Sequence, residues 1–138
     1  MNSHYAMAVH VLALINMYPD SARTSEDIAA SIGTNPVVVR NVIGHLRRAG
    51  LLDTRQGVAG AHLTRAPRDI TLLDVYRAVN APASVFKLHE QPNPRCPVGS
   101  RIQGSLTQVF GEAQGALEAH LASLTLEDVT GDLARRVS

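Results

Sequence analysis

Residues 25 to 49 impose the tightest constraint on what this chain can fold into. Thr24 or Ser25 offers an N-cap, Ile28 and Ile32 fall on one side of a short helix from Glu26 to Ile32, and Gly33 ends it. Thr34-Asn35-Pro36 then starts a second helix, with Pro in the first turn, that runs to Ala49 before Gly50. Two helices joined by so short a turn cross closely. The crossing requires a small residue on the first helix, a glycine four residues later and apolar residues facing inward on both. Ala29 and Gly33 hold the first two positions, and Val39 and Val42 are inward on the second helix. An ordinary helical hairpin shares the apolar spacing but has no need of Ala29 with Gly33, nor of a polar outer face on the second helix. The pattern is that of a helix-turn-helix.

The flanking segments fit around this unit. From His4 to Met17 the residues Tyr5, Ala8, Val9, Leu12, Ile15 and Met17 recur at helical intervals, and Tyr18-Pro19-Asp20 closes the helix. After Gly50, Leu51 to Arg55 and Ala61 to Arg65 are two short segments able to pair across Gln56-Gly57-Val58-Ala59-Gly60, which reads as a β-wing. A fourth helix spans Thr71 to Val79 through Leu72, Leu73, Val75, Tyr76 and Val79. Pro82, Pro92, Pro94 and Pro97 make residues 80 to 100 a linker, with a brief strand or turn at Ser84 to His89. Helical spacing returns from Gly104 to Leu124, and Thr125 caps a short terminal helix. The expected class is mainly α with a small β-wing: a winged helix-turn-helix over residues 1–80, a Pro-rich linker over 81–103, and a dimerisation helix with a short terminal helix over 104–138.

Composition agrees. With 138 residues, 45% of them hydrophobic, the chain has room for one ordinary domain plus an extra helical element, and with no Trp and few aromatics its core is Ala, Val, Leu and Ile. The formal charge is only +1, but it is unevenly spread: Thr34 to Arg68 holds six arginines (Arg40, Arg47, Arg48, Arg55, Arg65, Arg68) against the single acid Asp53, whereas the chain from Ala81 onward is near neutral. Cys96 is the only cysteine, so no intramolecular disulfide forms. The first residues lack a basic lead-in and a small-residue cleavage site, and no segment approaches a membrane span; a cytoplasmic location without membrane contact is expected.

A basic, acid-poor second helix and wing point to double-stranded DNA. The N-terminal end of the helix would enter the major groove, bringing Asn35, Val37, Val38, Arg40 and Asn41 to base edges or thymine methyls. Two adjacent valines at an exposed helix start are poor helix formers, so contact with a base methyl is their better explanation unless one is buried. Arg47 and Arg48, nearer the far end, read equally as phosphate contacts or as solvated surface arginines. The wing would set Arg55, Gln56 and Gly57 beside the minor groove, with His62 and Arg65 on its return strand; a plain surface hairpin is the alternative. The face Leu106, Val109, Phe110, Ala113, Leu117, Leu121 and Leu124 is too apolar for solvent, so a second copy of the chain is expected to cover it.

Taken together, Thr34-Asn35-Pro36-Val37-Val38-Val39-Arg40, Leu46-Arg47-Arg48-Ala49-Gly50-Leu51-Leu52, Gly57-Val58-Ala59-Gly60-Ala61 and Asp69-Ile70-Thr71-Leu72-Leu73-Asp74-Val75-Tyr76-Arg77-Ala78-Val79 resemble the winged-helix regulators that include IscR, NsrR and CymR. His89 to Gly99 is similar to a segment of the YwnA-like branch of that family. The resemblance implies a dimer held by the long helix after the linker, with recognition helix and wing on DNA, usually as a repressor. Two departures stand out. Cluster-binding members carry several cysteines in the linker region, whereas Cys96 stands alone, so no iron-sulfur cluster and no other cofactor is expected. Val37-Val38 and the wing sequence also differ from other members, so the operator does not carry over.

Other chemistry is thin. None of the six histidines shows a close metal-ligand spacing. His89 and Cys96 are a nucleophile and base without an orienting group or an oxyanion site, so an enzyme is not expected. Cys96 reads either as a packed apolar residue or as a sensor of a small electrophile or oxidant, with Arg95 and a following helix N-terminus favouring its thiolate. Gating by another small ligand or a protein partner, and a helix-turn-helix scaffold that binds only protein, are the alternatives.

Overall fold

The computed structural model describes residues 3–19, 24–53, 60–79, 84–90 and 92–137. It divides into two units, Met1–Ala81 with Ala122–Ser138, and Pro82–Leu121.

In the first unit, α1 (His4–Met17) spans the range its periodicity predicts and buries Ala8, Val11, Leu12 and Ala13. Helix α2 (Ser25–Ile32) begins at a capping box: the Thr24 hydroxyl accepts from Asp27 N at 3.1 Å, and Asp27 Oδ2 accepts from Thr24 N at 3.2 Å. It ends at Gly33 in the left-handed conformation, φ 86°, where the N–H groups of Gly33 and Thr34 both donate to Ala29 O. Asn35 caps α3 (Pro36–Arg48) through Oδ1, which accepts from Val38 N at 3.1 Å. Ile28, Ala29, Val39, Val42 and Leu46 from these two helices close over α1 in one apolar core.

The wing pairs β1 (Leu52–Asp53) with β2 (His62–Leu63) antiparallel, Leu52 opposite Leu63 and Asp53 opposite His62. These are the pairs among the described residues; at the open end, Thr64 N donates to Leu51 O and the Thr64 hydroxyl to Gly50 O, which fixes the base of the hairpin. A 3-10 turn (Pro67–Asp69) leads to α4 (Leu72–Ala78), which starts on a second capping box, Thr71 with Asp74. Tyr5 Oη donates to Leu72 O at 2.7 Å, and its ring meets Tyr76 edge-on at 5.4 Å. Burial, with Tyr76 alongside, pushes the Tyr5 phenol up to about 12.

Helix α6 (Leu126–Val137) falls in the first unit, apart from α5, with which the sequence reading groups it over residues 104–138. It is the terminal helix that Thr125 caps, twelve residues long, and it lies against α1 and the 3-10 turn. Leu72 N donates to Leu124 O at 2.9 Å and Leu126 N to Ile70 O at 2.8 Å, an antiparallel bridge centred on Thr71 and Thr125. Leu126 and Ile70 are wholly buried beside it, and Asn16 Nδ2 donates to Thr130 Oγ1 at 3.2 Å.

The second unit is α5 (Ile102–Ala122) with the segment before it. Residues 84–90 form no strand. They are held along α5 instead: Phe86 stacks on Phe110 at 5.0 Å, Val85 N donates to the buried Gln114 Oε1 at 3.0 Å, and Gln103 Nε2 donates to His89 O at 2.9 Å. Helix α5 starts before Gly104 and ends at Ala122, which leaves Leu124 beyond its end, in the bridge to Leu72.

If Leu126 holds α6 in the winged-helix core, Leu126→Ala costs about 2–5 kcal/mol of unfolding free energy, the usual range for a fully buried Leu. Urea denaturation of the full chain followed by circular dichroism measures it; a loss under about 0.5 kcal/mol, as at surface positions, would place α6 outside the cooperative core.

Candidate nucleic-acid interface

The same packing that buries Val39 and Val42 turns the opposite side of α3 outward. Val37 is 58% exposed, whereas Val38 is half-buried against the core; the two valines therefore differ, and only Val37 presents a bare apolar side chain at the helix start. Asn35 spends its Oδ1 on the cap and has only its amide nitrogen to offer outward. Arg40 and Asn41 are exposed one turn further on. Arg40 Nη2 lies 3.3 Å from Glu26 Oε1 of α2, a contact between two helices that no short-range spacing rule could have found.

Arg47 and Arg48 are exposed in the last turn of α3, where cations also complement the helix dipole. Arg48 Nη2 approaches His45 Nδ1 at 3.1 Å and folds back over Gly44, where a Cβ would stand 3.2 Å from Arg48 Nη1. On the wing, His62 is half-buried, and its Nε2 is shielded and has no hydrogen-bond partner among the described residues, so that edge of the ring faces inward. Arg65 is turned toward α4 by Asp74, 3.6 Å away, and by Asp69 O. Arg55, Gln56 and Gly57 lie outside the described residues.

Of the apolar face of α5, Val109 is 53% exposed, Leu106, Ala113, Leu117 and Leu121 are half-buried, and Phe110 is covered on one side by Phe86. Cys96 is exposed in the turn that opens this helix. Its thiol lies below the ordinary cysteine range because the backbone N–H groups of Gly99 and, next, Val98 point at the sulfur and favour its anion. Gly99 is what permits this turn: a Cβ there would stand 2.5 Å from Asn93 O.

The Rrf2 family, described as iron-dependent transcriptional regulators, matches residues 1–132. The chain belongs to the Rrf2 family. YwnA of Bacillus subtilis (strain 168), a candidate HTH-type transcriptional regulator, is 50% identical over 133 residues, 96% of this chain and 98% of its own. A crystal structure of a candidate DNA-binding protein is 48% identical with a TM-score of 0.75, covering 91% of this chain and 97% of that one. CymR of B. subtilis, the global cysteine regulator, shares the fold at 20% identity with a TM-score of 0.69, covering 95% of each chain. The chain is thus a DNA-binding transcriptional regulator, its relatives are regulators rather than enzymes, and the resemblance seen in the residues holds. No helix among the described residues is long and apolar enough to cross a membrane.

The iron in that family description meets a poor donor set in this Rrf2 protein. Among the described residues no three His, Cys, Asp or Glu side chains converge, and Cys96 supplies the only thiol of the chain, exposed and facing backbone N–H groups. These residues do not fit an iron-sulfur cluster or a closed iron site within one protomer.

Two outcomes follow from the geometry. If Arg47 and Arg48 lie on phosphates, Arg47→Ala and Arg48→Ala are expected to weaken binding to specific and random duplexes alike, each lowering the salt slope by about one; sequence-dependent losses in fluorescence anisotropy would contradict a phosphate role. Alkylation of Cys96 by iodoacetamide rises with pH and levels off at lower pH than for free cysteine, because the turn depresses the thiol. Gly99→Ala, by opening that turn, moves the profile back up; a stopped-flow profile that coincides with free cysteine in the unmodified protein would show that the two N–H groups do not act on the sulfur.

Proposed function

We propose that the chain is a cytoplasmic homodimeric repressor that binds an inverted-repeat operator, without iron or another cofactor, and that modification of Cys96 lowers or raises its operator affinity. The observation that carries the reading is the outward face of α3: Val37, Arg40 and Asn41 exposed on a helix locked by its own buried valines, within a stretch of net charge +5. In this reading Val37 touches a thymine methyl, Arg40 and Asn41 address base edges with Asn35 and Val38 at the margin, and Arg47, Arg48 and the wing residues Arg55, Gln56, Gly57 and His62 lie along the backbone and minor groove. The repressor sense rests on the family resemblance.

Dimerisation is supported by the exposed apolar surface of α5 centred on Val109, flanked by Leu106, Ala113, Leu117 and Leu121. A two-fold pair of recognition helices spaced by about one DNA turn, roughly 34 Å, matches two half-sites. The Cys96 reading is supported by the depressed thiol and by the place of its turn at the head of α5. With an α,β-unsaturated carbonyl, the thiolate sulfur bonds the β-carbon, the alkene π-pair moves to the α-carbon and takes up a proton from water. The adduct no longer offers an anion to the Gly99 and Val98 N–H groups.

Selection of bound duplexes from random DNA is expected to return a palindrome, and Val109→Glu to shift sedimentation toward monomer at micromolar concentration. Either a selected site without two-fold symmetry or an unmodified chain that sediments as a monomer would overturn the dimeric reading. With the selected operator, a thiol-reactive enone is expected to change affinity about five- to 150-fold in the unmodified chain and not in Cys96→Ser. Unchanged affinity with Cys96 fully modified by mass spectrometry would remove the sensor role and leave the DNA reading intact.

A further inference from the structure

Arg40 does not stand alone on α3. Its Nη2 lies 3.3 Å from Glu26 Oε1, and the two side chains are 57% and 65% exposed. Their backbones belong to helices fixed against one another by Ile28, Ala29, Val39 and Val42, so the approach is set by the core. The neighbouring acid, Asp27, is already committed to the Thr24 N–H, which leaves Glu26 as the carboxylate at the start of α2 that faces the recognition helix.

We propose that Glu26 is a specificity-determining residue that buttresses Arg40 for base reading and withholds it from phosphate. This inference rests on the reading of α3 as the base-reading helix. In water an exposed pair of this kind contributes little to stability, so its worth lies in orientation. A guanidinium carries five N–H donors; one drawn to a carboxylate restrains the fork toward α2 and leaves the others for the two acceptors of a guanine edge. An unheld arginine in the same place turns to the nearest phosphate, which every sequence offers. The carboxylate also repels that phosphate, so it penalises the non-specific complex more than one in which Arg40 is engaged in the groove. Weak pairing is suited to this: Arg40 is oriented in the free protein without being locked away from DNA.

The test uses the full-length protein and the operator returned by random-sequence selection. Affinities are measured for that site, for its single-base variants and for a random duplex, over a range of salt, with the unmodified chain, Glu26→Gln, Arg40→Ala and the double variant. Glu26→Gln keeps the shape and leaves the Thr24–Asp27 box untouched, and thermal unfolding checks its fold. Arg40→Ala is expected to flatten preference at one base pair. Glu26→Gln is expected to reduce preference at that same pair by about five- to tenfold, a part of what a bidentate contact supplies. It also tightens random DNA with a salt slope steeper by about one, since Arg40 then contacts a phosphate. In the Arg40→Ala background Glu26→Gln has no further effect on preference. A uniform gain on all sequences, with preference intact, would reduce Glu26 to a surface charge while leaving Arg40 as a base reader. Loss of no preference in Arg40→Ala would overturn the base-reading assignment and the buttress together.

Discussion

The crossing of α2 over α3 is the constraint on which the rest of the interface depends. Ala29 lets the two backbones approach, and the left-handed Gly33 reverses the chain so sharply that its own N–H and that of Thr34 reach the same carbonyl. Once the helices are this close, Val39, Val42 and Leu46 have one place to go, into the core with Ala8, Val11 and Leu12. Burying each of these side chains is worth about 1.5–3 kcal/mol, whereas an exposed ion pair such as Arg40 with Glu26 is worth about 0–1 kcal/mol. Packing therefore decides where α3 points. Val37, Arg40 and Asn41 are outward because their neighbours at helical spacing are inward, so the exposed face of α3 that is proposed to read DNA is a by-product of the core and shifts only if the core does.

That dependence explains which parts of the structure were legible in the sequence. Helices whose ends are set by local chemistry came out nearly to the residue: α1 by its periodicity, α2 between a Thr cap and Gly33, α3 between Asn35-Pro36 and Gly50. Thr24, Thr71 and Thr125 each have an Asp three residues on, and each exchanges the same pair of hydrogen bonds with it. Read as a repeated box, that spacing marks three helix starts at once. What stayed hidden involves partners far apart in the chain. Leu124 continues the apolar spacing of α5, and although the Thr125 cap beside it marks a break, no local signal says where the chain goes next; the pairing of residues 70–72 with 124–126 is what brings α6 back to α1. The split between Val37 and Val38, and the reach of Glu26 to Arg40, likewise need the crossing angle of two helices. Periodicity names a face but not its neighbour.

In the second unit a continuous run of short-range hydrogen bonds links the turn of Cys96 to a long helix. Asn93 organises the turn twice over, with Oδ1 accepting from Arg95 N and its carbonyl from Cys96 N. The bonds from Ser100 N to Cys96 O and from Ile102 N to Val98 O then run without a break into the first turn of α5. Cys96 Sγ occupies the place of a capping acceptor at the head of this series, facing the N–H groups of Val98 and Gly99. On the proposed reading, an alkylated sulfur can no longer form the anion that the two N–H groups favour, and those donors lose that acceptor. Because Gly99 is so close to Asn93 O that it has no room for a side chain, the turn has few ways to relax around added bulk. On the proposed reading the disturbance would pass to the start of α5, the helix whose exposed apolar surface the dimeric reading assigns to the partner. This supplies the proposed thiol response with a mechanical path that needs neither a metal nor a second cysteine, which is the combination the composition of this chain leaves open.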